Sequence, residues 1–155
     1  MRGAGAPDDL GGQLLELRRR RQAESPMVPP DASFDESVAA HLNAVLDRPD
    51  WARLVVWQAL GDCPFTDSEE GERFTAAQRS MTARVLEGIR RRQRAGEVTG
   101  GIDPAFALLV AYAVVFSPIT MPQFVRDIFG EDPLAPSVRQ RLHEQLVKLL
   151  GTAED

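Results

Sequence analysis

Cysteine occurs once, at Cys63, which excludes an intrachain disulfide and suits a reducing compartment. No base or cation stands beside it in the sequence, so the thiol reads as structural or incidental. The start of the chain, Met1-Arg2-Gly3-Ala4-Gly5-Ala6, has no apolar segment behind it, so no secretory signal is expected. Catalytic signatures are missing as well. There is no Gly-rich phosphate loop ending in Lys-Ser or Lys-Thr, no GxGxxG, and no HExxH, CxxC or GxSxG. Nothing assembles a nucleophile, a base and an orienting group, so the chain is not expected to be an enzyme, and no catalytic residue or cofactor is assigned. Histidine is scarce. His41 and His143 each border an apolar helical stripe without a second ligand-type residue three or four positions away, and they read as surface or hydrogen-bonded core histidines rather than metal ligands. An excess of positive charge is also lacking: the net charge of −5 speaks against a whole-domain footprint for nucleic acid.

What is present centres on one uncharged run, Pro104 to Phe116, entered through Gly100-Gly101-Ile102-Asp103 and left at Ser117-Pro118. Asp103 can offer its carboxylate to the first free amides of a helix, and Pro104 sits where a missing N–H costs nothing. About a dozen continuous apolar residues behind that pair predict a helix rather than one long strand. Since it carries no charge, every face must be covered by other helices or by another copy of the chain. A membrane span is not expected. Ser117-Pro118 and Thr120-Met121-Pro122-Gln123 interrupt the run well short of the roughly 20 residues that a bilayer requires.

The remaining pattern is helical throughout. Residues 1–8 are expected to be disordered, 9–151 to form one helical domain and 152–155 a tail. Asp8 or Asp9 can cap a first helix with an apolar stripe of Leu10, Leu14 and Leu17. It ends in Arg18-Arg19-Arg20-Arg21, read as a solvated helix end, with a phosphate-contacting patch as the sharper alternative. Ser33-Phe34-Asp35-Glu36 has capping-box spacing and opens a helix with Val38, Leu42, Val45 and Leu46 on one side. After Arg48-Pro49-Asp50, the segment Trp51–Leu60 is apolar around nearly its whole circumference. Phe74, Ala77, Met81, Val85 and Ile89 then recur at helical spacing, defining a long helix of about five or six turns that Gly96 closes. Phe124, Val125, Ile128 and Phe129 form a short helix ended by Gly130. Pro136 opens the last, with Val138, Leu142, Leu146, Leu149 and Leu150 along one side. The fold class is therefore all-α, an antiparallel bundle of about seven helices. Its many apolar and aromatic residues with scattered polar ones suit an enclosed pocket for a mostly apolar small molecule.

The order of Ile89-Arg90-Arg91-Arg92-Gln93-Arg94-Ala95-Gly96-Glu97-Val98, then Ile102-Asp103-Pro104, then an apolar helix resembles the C-terminal regulatory domain of TetR-type transcriptional regulators. Asp47 to Trp57 also looks like that family's helix beneath its ligand cavity, and the similarity runs from about Asp9 to Gly151. The resemblance implies a cytoplasmic effector-binding and dimerisation domain of a small-molecule-responsive repressor. It further implies a homodimer whose four-helix bundle uses Phe106, Leu109, Val110, Ala113, Val138, Leu142, Leu146 and Leu149. For the effector pocket it points to Trp51, Val55, Trp57, Phe65, Met81, Val85, Tyr112 and Met121, although for each ordinary core packing is the more common reason for such a residue. Among these, Tyr112 is the polar candidate, because its hydroxyl interrupts an apolar helix and needs a partner. The family's N-terminal helix-turn-helix, with its Ile-Ala-x-x-Ala-Gly-Val-Ser stretch, has no counterpart here. DNA would then be contacted only through a missing N-terminal domain. An alternative function is a protein-interaction module that forms mixed dimers with a full-length regulator.

Overall fold

The computed structural model describes residues 28, 29, 31–59 and 69–152, together with Glu16 and Arg20. Among these residues there are six helices and no strand: α1 (Phe34–Leu46), α2 (Pro49–Ala59), α3 (Glu69–Arg94), α4 (Pro104–Thr120), α5 (Pro122–Phe129) and α6 (Pro136–Leu150). The expected all-α bundle is thus observed. The helix expected around Leu10, Leu14 and Leu17 lies outside the described residues, as do the start over 1–8 and the loop with Cys63 and Phe65. Of the Arg18–Arg21 run only Arg20 is described; it is helical and pairs with Glu16 at 3.1 Å.

Local chemistry sets most helix ends. Ser33 Oγ accepts the Glu36 amide at 3.2 Å while the Glu36 carboxylate accepts the Ser33 amide at 2.8 Å, completing the capping box on α1. Asp103 caps α4 through the Phe106 amide at 2.9 Å, with Pro104 as its first residue. Gly96 and Gly130 follow α3 and α5 with φ of 77° and 68°, left-handed values that side chains disfavour.

One boundary differs from expectation. The apolar helix does not stop at Phe116 but runs through Pro118 to Thr120. Proline cannot donate to the Val114 carbonyl four residues back. The Ser117 hydroxyl donates to that oxygen instead, at 2.7 Å, so the carbonyl keeps a partner and the helix continues. The break comes at Met121, where α5 leaves α4 at 95°. Among the described residues no single helix is long and apolar enough to cross a membrane.

Helix α4 packs against all five others, while α1 also contacts α2 and α6. The core between them includes Val38, Leu42 and Leu46 of α1, Ala107 and Val115 of α4, and Val138, Leu142, Leu146 and Leu150 of α6. Helix α3 is longer than its expected turns, and its stripe is buried only towards its C-terminal end: Ile89 is buried, Val85 half-buried, and Ala77 and Met81 exposed.

Where α3 ends, a buried cation ties three elements together. The Arg92 guanidinium donates to Glu97 Oε2 at 2.8 Å and to Ser37 Oγ at 2.7 Å, and the same Glu97 oxygen accepts the Phe34 amide at the start of α1. The carboxylate therefore neutralises Arg92 and also sits at the positive end of the α1 dipole. Beyond it, the Thr99 amide donates to the Leu150 carbonyl at 2.8 Å, and Val98 pairs with Gly151 in an isolated antiparallel bridge, locking the end of α6 beside the loop.

Close approach dictates glycine at position 151. A Cβ there would lie 2.5 Å from the Val147 carbonyl oxygen, a backbone atom that cannot swing aside. Gly151→Ala is expected to destabilise the chain by about 1–3 kcal/mol in denaturant unfolding. Gly100→Ala, whose Cβ would enter open space, serves as the control and is expected to leave stability within about 0.5 kcal/mol.

Candidate functional site

The apolar stripe of α1 carries a histidine into the seam between α1 and α4. His41 meets Tyr112 edge-on, with ring centroids 5.0 Å apart and planes at 64°, and meets Phe116 at 6.3 Å and 71°. Tyr112 and Phe116, one helical turn apart on α4, are stacked at 5.9 Å with an interplanar angle of 9°. Helix α2 packs against both α1 and α4, and its Trp51 and Val55 are half-buried.

Polar satisfaction fails at this seam. The His41 Nε2 atom is buried and has no hydrogen-bond partner. A polar group left this way costs about 1–3 kcal/mol, so native proteins seldom retain one without a use for it. His41 thus departs from the expected surface or satisfied histidine. His143 conforms to it, since its Nε2 lies 3.2 Å from both the carbonyl oxygen and a carboxylate oxygen of Asp35.

Burial sets the protonation states. Desolvation pushes the His41 imidazole below its ordinary value of 6.5 and the Tyr112 phenol above its ordinary 10.0. At neutral pH the seam therefore presents a neutral imidazole and a protonated phenol. One turn before His41 on α1, Ser37 holds Arg92, whose charge Glu97 already balances.

The residues expected at the pocket are dispersed. Trp51 and Val55 are half-buried on α2, and Tyr112 is half-buried on α4. Val85 sits half-buried on α3, the other helix packed on α4, whereas Met81 and Met121 are exposed on α3 and at the α4–α5 break. Trp57 belongs to α2, but its side chain, like Phe65, lies outside the described residues. Sequence reasoning did not single out His41 or Phe116 as site residues. The available signal was position: His41 continues the helical stripe of Phe34, Val38 and Val45, and Phe116 follows Tyr112 by four residues.

The residues expected at a dimer interface also divide. Val138, Leu142 and Leu146 point into the protomer's own core, and Val110 is half-buried against it. Phe106, Leu109, Ala113 and Leu149 remain on the surface, with 56%, 65% and 56% of Phe106, Leu109 and Leu149 exposed. A separate open cleft of about 300 Å³ lies beside the N-terminal half of α1, lined by Val28, Pro29, Asp31, Ala32, Glu36 and Ala40 and by none of the seam residues.

His41 makes stability depend on pH with a definite sign. Its folded-state value is depressed, so below about 6.5 the unfolded chain takes up the proton more readily and the fold loses stability as pH falls. Denaturant midpoints are expected to drop between about pH 7.5 and about pH 5.5 in the native chain, and to drop less in His41→Gln.

No curated protein matches the chain. The family model described as Tetracyclin repressor-like, C-terminal domain, matches residues 34–148. That span opens on the first residue of α1 and closes in the last turn of α6, so it takes in all six helices and the aromatic seam. Domains of this kind belong to regulators, which are generally not enzymes. From the capped start of α1 to the leucine-bearing α6, this chain belongs to the tetracycline repressor-like C-terminal domain family.

Proposed function

We propose that the chain is the effector-binding and dimerisation domain of a TetR-like regulator, taking a largely apolar small molecule into the α1–α2–α4 layer. The observation that carries the effector half is the half-buried aromatic seam with an unpartnered imidazole nitrogen, since small-molecule sites are lined mostly by apolar and aromatic side chains with a few polar groups. The dimer half rests on the outward stripe of α4. Phe106, Leu109 and Ala113 occupy one face of a helix with no charged residue, and Leu149 of α6 adds a further exposed apolar side chain. Large apolar side chains grouped in this way mark association surfaces. On this reading, operator contact belongs to a helix-turn-helix outside these 155 residues.

Light scattering coupled to size exclusion is expected to give a dimer at micromolar concentration, with a symmetric interface of at least roughly 1,200 Å². Leu109→Glu places a charge on the stripe without entering the core and is expected to shift the chain to monomer. A native chain that elutes as a monomer refutes the dimer half. For the effector half, a thermal-shift screen of hydrophobic metabolites is expected to raise the melting temperature with at least one compound, since a ligand of the native state must stabilise it.

A further inference from the structure

Helix α5 is patterned to bury more than its own protomer covers. Phe124, Val125, Ile128 and Phe129 share one side of its two turns, while Gln123, Arg126 and Asp127 take the other. Of the four apolar side chains Val125 is buried and Phe129 half-buried, but Phe124 and Ile128 stand 60% and 59% exposed. Met121, three residues before Phe124, is 48% exposed. We infer that a second copy of this chain covers that stripe, so that the dimer interface begins on α4 and turns the corner at Met121 onto α5. This rests on the dimerisation reading and adds a helix to it.

Three observations select a second copy. The first is continuity. Exposed positions follow α4 at Phe106, Leu109, Ala113 and Thr120, the chain bends by 95° at Met121, and exposed apolar positions resume at Phe124 and Ile128. On each helix they recur at the spacing of a single face. The second is concentration. Of the eight large apolar side chains exposed among the described residues, five lie on α4, on α5 or at the break between them, which marks an association surface rather than scattered exposure. The third is area. Side chains of this size show roughly 100 Å² apiece at such exposures, so Phe106, Leu109 and Leu149 offer about 300 Å² per copy. A standard interface takes roughly 500 Å² of apolar surface from each partner, a supply that Met121, Phe124 and Ile128 complete by about doubling it. A lipid surface fits less well. Interfacial helices carry Lys and Arg on their polar face, whereas α5 sets Asp127 beside Arg126 there and the chain has a net charge of −5.

The test measures dimer dissociation by analytical ultracentrifugation in three variants of the whole chain. Phe124→Glu and Ile128→Glu are each expected to raise the dissociation constant at least about tenfold. Gln123→Glu puts the same charge on the polar side of the same helix and is expected to leave it within about twofold. An isotope-filtered NOE measurement on mixed labelled and unlabelled native chains does not depend on any variant: the methyl groups of Met121 and Ile128 should show contacts to the other copy. A dissociation constant unchanged in both α5 glutamate variants, or the absence of those intermolecular contacts, overturns the inference, and the dimerisation reading then stands or falls separately with Leu109→Glu. A monomeric native chain overturns both. Binding to phosphatidylglycerol vesicles that Phe124→Glu abolishes while the dimer persists overturns the inference in favour of a lipid surface.

Discussion

A helix without a single charged side chain cannot face water along its length, and the whole bundle answers to that constraint. Helix α4 is touched by α1, α2, α3, α5 and α6, so each of the other described helices covers part of its surface. The coverage is incomplete. Ala107 and Val115 are sealed in the core, but Phe106, Leu109 and Ala113 run along an open stripe. A helix whose apolar character extends around its circumference while one face stays bare leaves apolar surface open to a further partner. That stripe is the physical basis of the association proposed for this domain.

The bundle treats its polar groups in two contrasting ways. At the junction of α1, α3 and the loop that leads to α4, every strong polar group is answered: Arg92 by Glu97 and Ser37, Glu97 by the Phe34 amide, and Gln93 by the carbonyls of Thr99 and Ile102. A buried cation requires this, because breaking one contact would strand its charge. One turn further along α1 the rule lapses at His41. Burial holds the seam's imidazole and phenol in their uncharged forms. A fully satisfied node therefore stands beside an unsatisfied one on the same helix. The first fixes where α1 begins, and the second leaves hydrogen-bonding capacity inside a hydrophobic layer, which is what recognition of a mostly apolar molecule needs.

The two proposed activities share α4. Tyr112 and Phe116 form the seam, and Phe106, Leu109 and Ala113 lie on the adjoining exposed side of the same helix. A rigid helix with a sensing side and an association side can couple them without any long relay, since a small displacement of the helix alters both. Ser117 supports that rigidity by supplying the hydrogen bond that Pro118 cannot make, so that α4 reaches Thr120 before α5 turns away by 95°.

Much of the fold was legible in the residues themselves because local chemistry decides it. The Ser33 capping box, Asp103-Pro104 at the start of α4, and Gly96 and Gly130 at helix ends act over a few residues and need no distant partner. The TetR resemblance likewise followed from the order of such signals. The candidate site was less legible. Tyr112 could be singled out as a hydroxyl in an apolar helix, but whether His41 was satisfied depended on which atoms α4 brought to it, and nothing in the sequence near His41 records that. Spacing put Val138, Leu142, Leu146 and Leu149 on one helix, yet only the position of α6 against α1 and α4 decided that the first three face the protomer's own core and Leu149 faces out. The sequence specified where helices begin and end, because those interactions close within a turn. Tertiary packing alone specified which faces are filled and which polar atoms are left without a partner, because burial is a property of what surrounds a residue and not of the residue.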